Sequence, residues 1–249
     1  MICALPDGRA TAPTTSRKSR HMSVSKTAKV IIKSHIPRVV AAYKNARQTL
    51  IGPSLKTVFS AIYHTNAWQD RESVSGRGST LARTKVIRSR LPKLLQELQA
   101  EILLDAACGD FHWMRNIDLG SVKYIGVDVV PDLINRNRKL YGSVSRIFLA
   151  QDITRHRLPS ADVVLCRDCL IHLSFKRIHA AVANFKRARA GYFLCTNHPS
   201  VMENSDCPDG SWRSLNLLLP PFNFPPPLRQ IVEDEELGKY LAVWRLEDL

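Results

Sequence analysis

Two aspartates follow short apolar segments and are placed to contact a ligand. Residues 102–104, Ile-Leu-Leu, lead directly into Asp105, and residues 122–128, Val-Lys-Tyr-Ile-Gly-Val-Asp, end at Asp128. Short apolar runs that end in acids and glycines are typical of buried parallel strands. Parallel strands bring their carboxyl ends to one edge of a sheet. We therefore expect both carboxylates at the mouth of a doubly wound sheet, where such folds bind nucleosides.

Gly109 marks a tight turn after the first of these strands. We expect a short helix to follow the turn and to offer free N–H groups to a ligand. Asp128 is suitably placed to accept hydrogen bonds from both hydroxyls of a ribose. Ala107 and Phe111 stand on either side of the glycine, where a dinucleotide fingerprint needs further glycines. A ligand with a ribose and no phosphate therefore fits better than a nicotinamide dinucleotide, and Asp105 favours a cationic group on that ligand.

These residues resemble the class I S-adenosylmethionine-dependent methyltransferases. Residues 105–111, Asp-Ala-Ala-Cys-Gly-Asp-Phe, look like the first motif of that family, Asp128 like its ribose acid, and residues 150–153, Ala-Gln-Asp-Ile, like the segment that meets the adenine. The resemblance covers residues 63–249 and departs from the family in having fewer glycines. It implies S-adenosyl-L-methionine as the cofactor, no metal, and a cofactor site made by Asp105, Ala107, Cys108, Gly109, Asp128, Val129, Gln151, Asp152, Ile153 and Arg167.

The hydrophobic pattern predicts an α/β fold. Five strands are expected at residues 102–105, 122–128, 146–150, 161–166 and 191–196, and helices at residues 55–68, 80–99, 131–140 and 175–187. Most of these strands are separated by helical stretches, which favours a parallel sheet. Two closing strands follow at residues 230–232 and 240–246. With the resemblance, this predicts a Rossmann-like doubly wound, mostly parallel seven-stranded sheet whose C-terminal strand inserts antiparallel between the fifth and sixth.

Three residues at the end of the fourth strand are candidates for catalysis: Arg167, Asp168 and His172. Methyl transfer mainly requires that acceptor and methyl are held in line without water, and a base helps when the acceptor is protonated. Asp168 and His172 share one face of a helix that begins there, so the carboxylate could orient the imidazole as a base. In the alternative interpretation, Asp168 caps that helix and His172 packs over the cofactor.

We expect the walls of the acceptor site to come from residues 68–79 and 204–224. Residues 72–79 form a polar, glycine-bearing loop. The resemblance implies that a segment in this position closes over the cofactor, with residues 75–79 reaching its carboxylate or carrying the substrate; the alternative is a connector. Residues 204–227 are rich in proline and apolar side chains, including Trp212, Phe222 and Phe224. We interpret this second loop as a packed substrate lid rather than as a ligand for proline-reading modules.

The cysteines indicate a reducing compartment, and we predict a cytoplasmic protein without disulfides. Cys166, Cys169, Cys195 and His198 fall at the ends of two strands that should be neighbours, and such residue types could bind zinc. Because Cys166 should still lie within its strand and face the core, we treat zinc as a minor hypothesis.

The charge of the chain is concentrated before the sheet. The net charge is +14, but residues 101–249 contain 18 basic and 18 acidic residues, whereas residues 1–57 contain 11 basic residues and the single acid Asp7. We predict a basic arm over residues 1–54, disordered over residues 1–27 and with an amphipathic helix over residues 29–50 that is broken near Pro37. The arm is interpreted as a solvated tail, an organelle transit segment, or a contact for nucleic acid or an anionic membrane surface. No transmembrane segment is predicted.

We therefore predict a methyltransferase domain over residues 55–249 that acts on an unidentified small-molecule acceptor. Two other interpretations are a catalytically silent, methyltransferase-like binding protein and a nucleic-acid methyltransferase that uses the basic arm. The acceptor atom, the oligomeric state and the true start, Met1 or Met22, are left open by the sequence.

Overall fold

The computed structural model describes residues 53–249, which form one seven-stranded sheet with helices. The predictions made for the basic arm lie outside the described residues, apart from its last two positions. The strands are β1 (Ile102–Ala106), β2 (Lys123–Asp128), β3 (Arg146–Ala150), β4 (Val163–Cys166), β5 (Tyr192–Asn197), β6 (Arg229–Asp234) and β7 (Lys239–Arg245). The helices are α1 (Leu55–Thr65), α2 (Lys85–Glu97), α3 (Pro131–Tyr141) and α4 (Phe175–Arg187).

The strand order is β3-β2-β1-β4-β5-β7-β6. Strands β1 to β5 pair in parallel, and β7 pairs antiparallel with both β5 and β6. The predicted doubly wound, seven-stranded sheet is confirmed, as is the insertion of the last strand between the fifth and the sixth. The carboxyl ends of β1, β2, β3 and β4 consequently meet along one edge, where the predicted site residues lie.

The central strands β1 and β4 are apolar apart from Asp105 because both faces of the sheet are covered. In β1, Leu103 packs into the layer that contains α2 and α3, whereas Leu104 packs into the layer that contains α4. In β4, Val163 packs into the layer of α2 and α3, and Val164 packs into the layer of α4. Successive strand side chains point to opposite faces, so a strand between two helical layers needs apolar residues at every position.

The helix boundaries follow local capping. Ser54 accepts a hydrogen bond from the Thr57 amide and begins α1, and Asn66 ends it in the left-handed conformation at φ 45°. Pro131 opens α3, as predicted, because the first turn needs no donor there. Helix α2 is shorter than predicted, and Thr84 rather than Thr80 precedes it.

The helix expected directly after the Gly109 turn is absent from the described chain. A single 3-10 turn at Met114–Asn116 takes its place. The intervening residues are held by tertiary packing instead, since Phe111 and Trp113 are both buried. The turn therefore presents individual loop amides to the sheet edge and no helix N-terminus. Within residues 53–249, no helix has the length and apolar character needed to cross a membrane.

Candidate active site

A narrow cavity lies at the carboxyl edge of the sheet, where β1, β2, β3 and β4 end. Its volume is about 100 Å³. Of the predicted cofactor residues, seven line it: Ala107, Asp128, Val129, Gln151, Asp152, Ile153 and Arg167. Its roof comes from the N-terminal side of the domain, through Leu55 and Phe59 of α1 and the indole of Trp68. We call this space the nucleoside cavity.

Asp128 ends β2 with its carboxylate held by two backbone amides. Oδ2 accepts a hydrogen bond from the Gly109 amide at 3.2 Å, and Oδ1 accepts one from the Val130 amide at 3.0 Å. Burial raises the pKa of Asp128 to about 6, although these amides favour the ionised form. Each carboxylate oxygen has a second lone pair, so the fixed carboxylate can accept two further hydrogen bonds from vicinal hydroxyls.

The far end of the nucleoside cavity is formed by the loop after β3. Asp152 Oδ1 accepts hydrogen bonds from the amide and the hydroxyl of Thr154 at 2.8 and 2.7 Å. Asn184 of α4 donates to the Ile153 carbonyl at 2.7 Å and fixes the loop against the helix. Gln151 Oε1 is buried and has no hydrogen-bond partner in the described chain. A ligand amine would satisfy this acceptor, so the loop suits the amino edge of a purine.

Arg167 follows β4 and is almost fully buried, with 3% of its side chain exposed. Its Nε donates to Glu233 at 2.7 Å, and its Nη1 lies 3.1 Å from Asp168. Its guanidinium stands over the Trp113 ring at 5.3 Å. The Nη2 atom, however, is buried without a partner among the described residues. A buried, unsatisfied cationic donor beside a ligand cavity suits a carboxylate on the ligand.

A second and larger space adjoins the nucleoside cavity. This cleft has a volume of about 400 Å³ and is lined by loop residues 75–79, by the loop after β5, and by the hairpin of β6 and β7. We call it the acceptor cleft. Residues that line both spaces mark their junction: Trp68, Ser75, Ser79, Asp168 and His172. The predicted catalytic pair Asp168 and His172 therefore lies where a group would pass from one space to the other.

The floor of the acceptor cleft is a buried charge cluster. Lys239 of β7 lies 2.5 Å from Asp168 and 3.4 Å from Glu233, and Arg167 contacts the same two acids. Burial opposes ionisation of Asp168, but Arg167 and Lys239 hold the pKa of its carboxyl well below its usual range. Asp168 also accepts a hydrogen bond from the Thr196 hydroxyl at 3.2 Å. It is therefore a fixed, paired anion and is not suited to act as a base at neutral pH.

His172 lies in the 3-10 turn Leu170–His172, and α4 begins only at Phe175. No helix begins at Asp168, so the expected shared helix face of Asp168 and His172 and the alternative capping role of Asp168 are both wrong. Packing of His172 over the cofactor stays a prediction. The His172 Nδ1 lies 2.8 Å from the Ser211 carbonyl oxygen, which must accept the hydrogen bond. Nδ1 then carries the hydrogen, and Nε2 of the neutral ring keeps its lone pair. Burial lowers the pKa of His172, which favours that neutral form.

The loop over residues 70–79 is tied to the turn after β1. Asp110 accepts hydrogen bonds from the Ser73 hydroxyl, the Val74 amide and the Ser75 hydroxyl, and its own amide donates to Ser75. A Cβ at Gly109 would collide with the Ser75 hydroxyl, so glycine is needed for this close approach. Loop 70–79 therefore forms part of the wall of the nucleoside cavity and of the acceptor cleft, and it is more than a connector.

Three predicted cofactor residues do not line the nucleoside cavity. Asp105 accepts a hydrogen bond from the Tyr124 hydroxyl at 2.6 Å, with burial raising its pKa to about 7. Cys108 packs in the core beside Gly126. Gly109 lies beneath Ser75 and donates to Asp128. Their direct contact with a cofactor stays a prediction.

The proline-rich segment divides into a packed part and a cleft part. Leu215, Leu217 and Phe222 are buried in the core layer of α4, whereas Trp212 and Ser214 line the acceptor cleft. Sequence reasoning found Trp68, residues 75–79 and this segment, but it missed Arg83, His198, Glu233, Asp234, Leu237 and Lys239. Glu233 and Asp234 directly follow the apolar pair Ile231 and Val232 of a predicted strand, which is the signal that could have revealed them.

The zinc hypothesis finds no support in residues 53–249, which contain no group of three or more ligand residues placed to hold a metal ion. Cys166 and Cys195 are register partners within the core of the sheet. His198 instead accepts a hydrogen bond on Nδ1 from the Leu215 amide at 3.3 Å.

The sheet order and the ligand cavities at its carboxyl edge define a class I methyltransferase fold. A family model described as a methyltransferase domain matches residues 104–195. A search of curated protein sequences returned no match. Among solved structures, human N-acetylserotonin methyltransferase in complex with S-adenosylmethionine is 11% identical, with a TM-score of 0.56, over 80% of this chain and 61% of that one. The chain thus spans about three fifths of the human enzyme's length.

This chain covers a second solved structure almost completely. Magnesium protoporphyrin IX methyltransferase from Synechocystis PCC 6803, with bound S-adenosylmethionine, is 14% identical, with a TM-score of 0.53, over 78% of this chain and 98% of that one. The TM-scores of these two structures show a common fold. With the family match, they confirm the resemblance to class I S-adenosylmethionine-dependent methyltransferases.

Proposed function

We propose that this protein transfers a methyl group from S-adenosylmethionine to a small-molecule acceptor. The observation that carries the proposal is the nucleoside cavity, where a fixed acid, Asp128, lies between two unsatisfied polar atoms, Gln151 Oε1 and Arg167 Nη2. The cofactor of the two structural neighbours carries a ribose, an adenine amine and a carboxylate. The side chains of this cavity have the complementary hydrogen-bonding groups, so the cavity residues fit S-adenosylmethionine.

When bound, S-adenosylmethionine supplies a methyl group already activated on a sulfonium. The protein then has to bind the cofactor and the acceptor, orient them in line, and exclude water. Asp128 accepts the ribose hydroxyls, Gln151 and Asp152 face the adenine edge, and Arg167 holds the carboxylate. At 100 Å³ the nucleoside cavity is smaller than a typical ligand site of about 300–1,000 Å³. Binding therefore requires the nucleoside cavity to widen.

The acceptor enters from the cleft and reaches the junction at Trp68, Ser75, Ser79, Asp168 and His172. His172 accepts the acceptor's proton on Nε2, because Nδ1 is engaged with the Ser211 carbonyl. Asp168 positions this junction through its ion pairs with Arg167 and Lys239 and favours the imidazolium that forms. A cleft of about 400 Å³ supports a small-molecule acceptor.

The test is titration calorimetry of the full chain with S-adenosylmethionine, S-adenosylhomocysteine and NAD. We expect both sulfur nucleosides to bind and NAD to bind weakly or not at all. Asp128→Ala should weaken binding at least tenfold, since hydrogen bonds to a charged group contribute about 1.5–3 kcal/mol. The matched control is Asp118→Ala, an exposed acid outside both spaces. A folded chain that binds neither sulfur nucleoside would refute the proposal.

A further inference from the structure

The charged side chains of the acceptor cleft, the acids, lysine and arginines, are paired, with one exception. Asp168 and Glu233 lie between Arg167 and Lys239, and Asp234 forms an ion pair with Arg83. Arg77 lines the same cleft on loop 70–79. Its side chain has no ion-pair or hydrogen-bond partner among residues 53–249.

This charge pattern favours an anionic ligand. The three acids of the cleft are each within reach of a cation of the protein, so none of them needs a cation from the acceptor. Arg77 is exposed at the rim of the cleft. The backbone beside it is packed against Asp168, since a Cβ at Gly78 would lie 2.7 Å from the Asp168 carboxylate. An arginine at a cleft mouth binds carboxylates in bidentate geometry and attracts anions from solution.

The walls of the cleft favour a planar ring. The indole of Trp68 lies against His172, with ring centres 5.1 Å apart and ring planes inclined at 31°. Trp212 lines the same cleft with 62% of its surface exposed, which is unusual for so large an apolar side chain. Exposed indoles at the edge of a ligand cleft provide stacking surfaces for aromatic ligands.

Two neutral histidines line the cleft in opposite tautomers. His172 carries its hydrogen on Nδ1, so its Nε2 is an acceptor. His198 accepts the Leu215 amide on Nδ1, so in its neutral form Nε2 carries the hydrogen and is a donor. Burial lowers the pKa of both rings and favours these neutral forms. One acceptor and one donor match a hydroxyl, which both donates and accepts, better than an ammonium group, which only donates.

We propose that the acceptor is an aromatic molecule with one anionic group and one hydroxyl, the anion bound by Arg77 and the hydroxyl presented to His172. This inference rests on the proposed methyl transfer and specifies its substrate class. The hydroxyl oxygen bonds to the methyl carbon as the methyl–sulfur bond breaks, and the electron pair stays on sulfur. The hydroxyl proton passes to His172 Nε2, and the product is a methyl ether.

The experiment uses a matched pair of probes that differ only in charge, 4-hydroxycinnamate and 4-hydroxycinnamamide. Binding of each to the full chain saturated with S-adenosylhomocysteine is measured by calorimetry, and methyl transfer from S-adenosylmethionine is followed by mass spectrometry. We expect the acid to bind about tenfold tighter than the amide, or about 1.4 kcal/mol, and to be converted to its methyl ether. Arg77→Gln should abolish the preference, whereas Arg71→Gln, an exposed arginine of the same loop outside the cleft, should keep it.

Equal binding of acid and amide, a preference for the amide, failure to bind either probe, or a preference that survives Arg77→Gln would overturn the substrate class. The proposed function is judged separately by the binding of S-adenosylhomocysteine in the first titration. If that nucleoside binds and the acid is not preferred, the substrate class fails and the methyltransferase proposal stands. If it does not bind, the methyltransferase proposal fails.

Discussion

Replacing Asp105 by asparagine should change how the stability of the domain depends on pH. The Asp105 carboxyl is 3% exposed, and its nearest polar partner is the Tyr124 hydroxyl at 2.6 Å. Burial raises its pKa from 3.8 to about 7, although the hydrogen bond from Tyr124 favours ionisation. Between these two values the folded protein holds a proton that the unfolded chain has released. The stability contributed by this group is thus present below about pH 4 and is lost as the pH rises through about 7.

The magnitude follows from the two pKa values. Each pKa unit corresponds to about 1.4 kcal/mol, so raising the pKa of Asp105 from 3.8 to about 7 corresponds to about 4 kcal/mol. An asparagine cannot ionise, has nearly the same shape, and keeps an oxygen for the Tyr124 hydroxyl. Asp105→Asn should therefore match the natural protein at about pH 4 and exceed it by up to about 4 kcal/mol at about pH 8.

The assay is urea unfolding of both proteins at several pH values across this range, analysed for the free energy of unfolding. The difference between variant and natural protein should grow by about 1.4 kcal/mol per pH unit up to the pKa of Asp105. Asp248→Asn, at an exposed position, should show a constant difference. A constant difference for Asp105→Asn as well would refute the reasoning, since it would mean that the buried acid has the same pKa in the folded and unfolded states.

Three further changes test the junction. Arg167→Met leaves Glu233 and Asp168 with one cation fewer, so urea unfolding should show a loss of about 3–5 kcal/mol. Gly78→Ala places a Cβ 2.7 Å from the Asp168 carboxylate and should lower the rate of methyl transfer, measured at saturating cofactor, by displacing the loop. His172→Gln should remove the acid limb of the pH–rate profile, which in the natural protein should lie below about pH 6.5 because burial lowers the pKa of His172.

Each of these changes has a matched control in the same chain. Arg177→Met breaks a more exposed ion pair with Asp209 and should cost less than Arg167→Met. Gly191→Ala meets only ordinary contact distances and should leave the rate unchanged. His179→Gln, outside both spaces, should keep the acid limb. If a control behaves like its partner variant, the effect does not come from the junction.

The positions of the strands along the chain were predictable because most of them are short apolar runs separated by helical spacing or turn residues. The insertion of the last strand between the fifth and the sixth was implied by the family resemblance. The ribose acid was equally visible, since Asp128 directly follows such a run. The sequence indicated that the carboxylate of Asp105 needs a partner, but it did not identify Tyr124 as that partner. Asp105 pairs in register with Gly126, so the side chain of Tyr124, two residues earlier, lies on the same face of the neighbouring strand. That contact depends on register, which the sequence does not specify by itself.

The charge cluster could not be predicted from local pattern. Arg167 and Glu233 are 66 residues apart, and Lys239 and Asp168 are 71 apart. Their meeting depends on β7 docking antiparallel on β5, which places the β6–β7 hairpin over the end of β4. The missing helix after Gly109 has a similar cause. Burial of Phe111 and Trp113 and the contacts of Asp110 with loop 70–79 fix that segment, and all of them are long-range.

The late position of the β6–β7 hairpin in the chain has a consequence for synthesis on the ribosome. Until residues 229–245 emerge, strand β5 has an open edge, and the buried Arg167 and Asp168 lack Glu233 and Lys239. An open strand edge invites pairing with other chains, and domains emerge and fold from the N-terminal end. Docking of the hairpin therefore covers the open edge of β5 and brings Glu233 and Lys239 to the floor of the acceptor cleft in one event. A nascent chain has no complete acceptor cleft before its sheet is protected from aggregation.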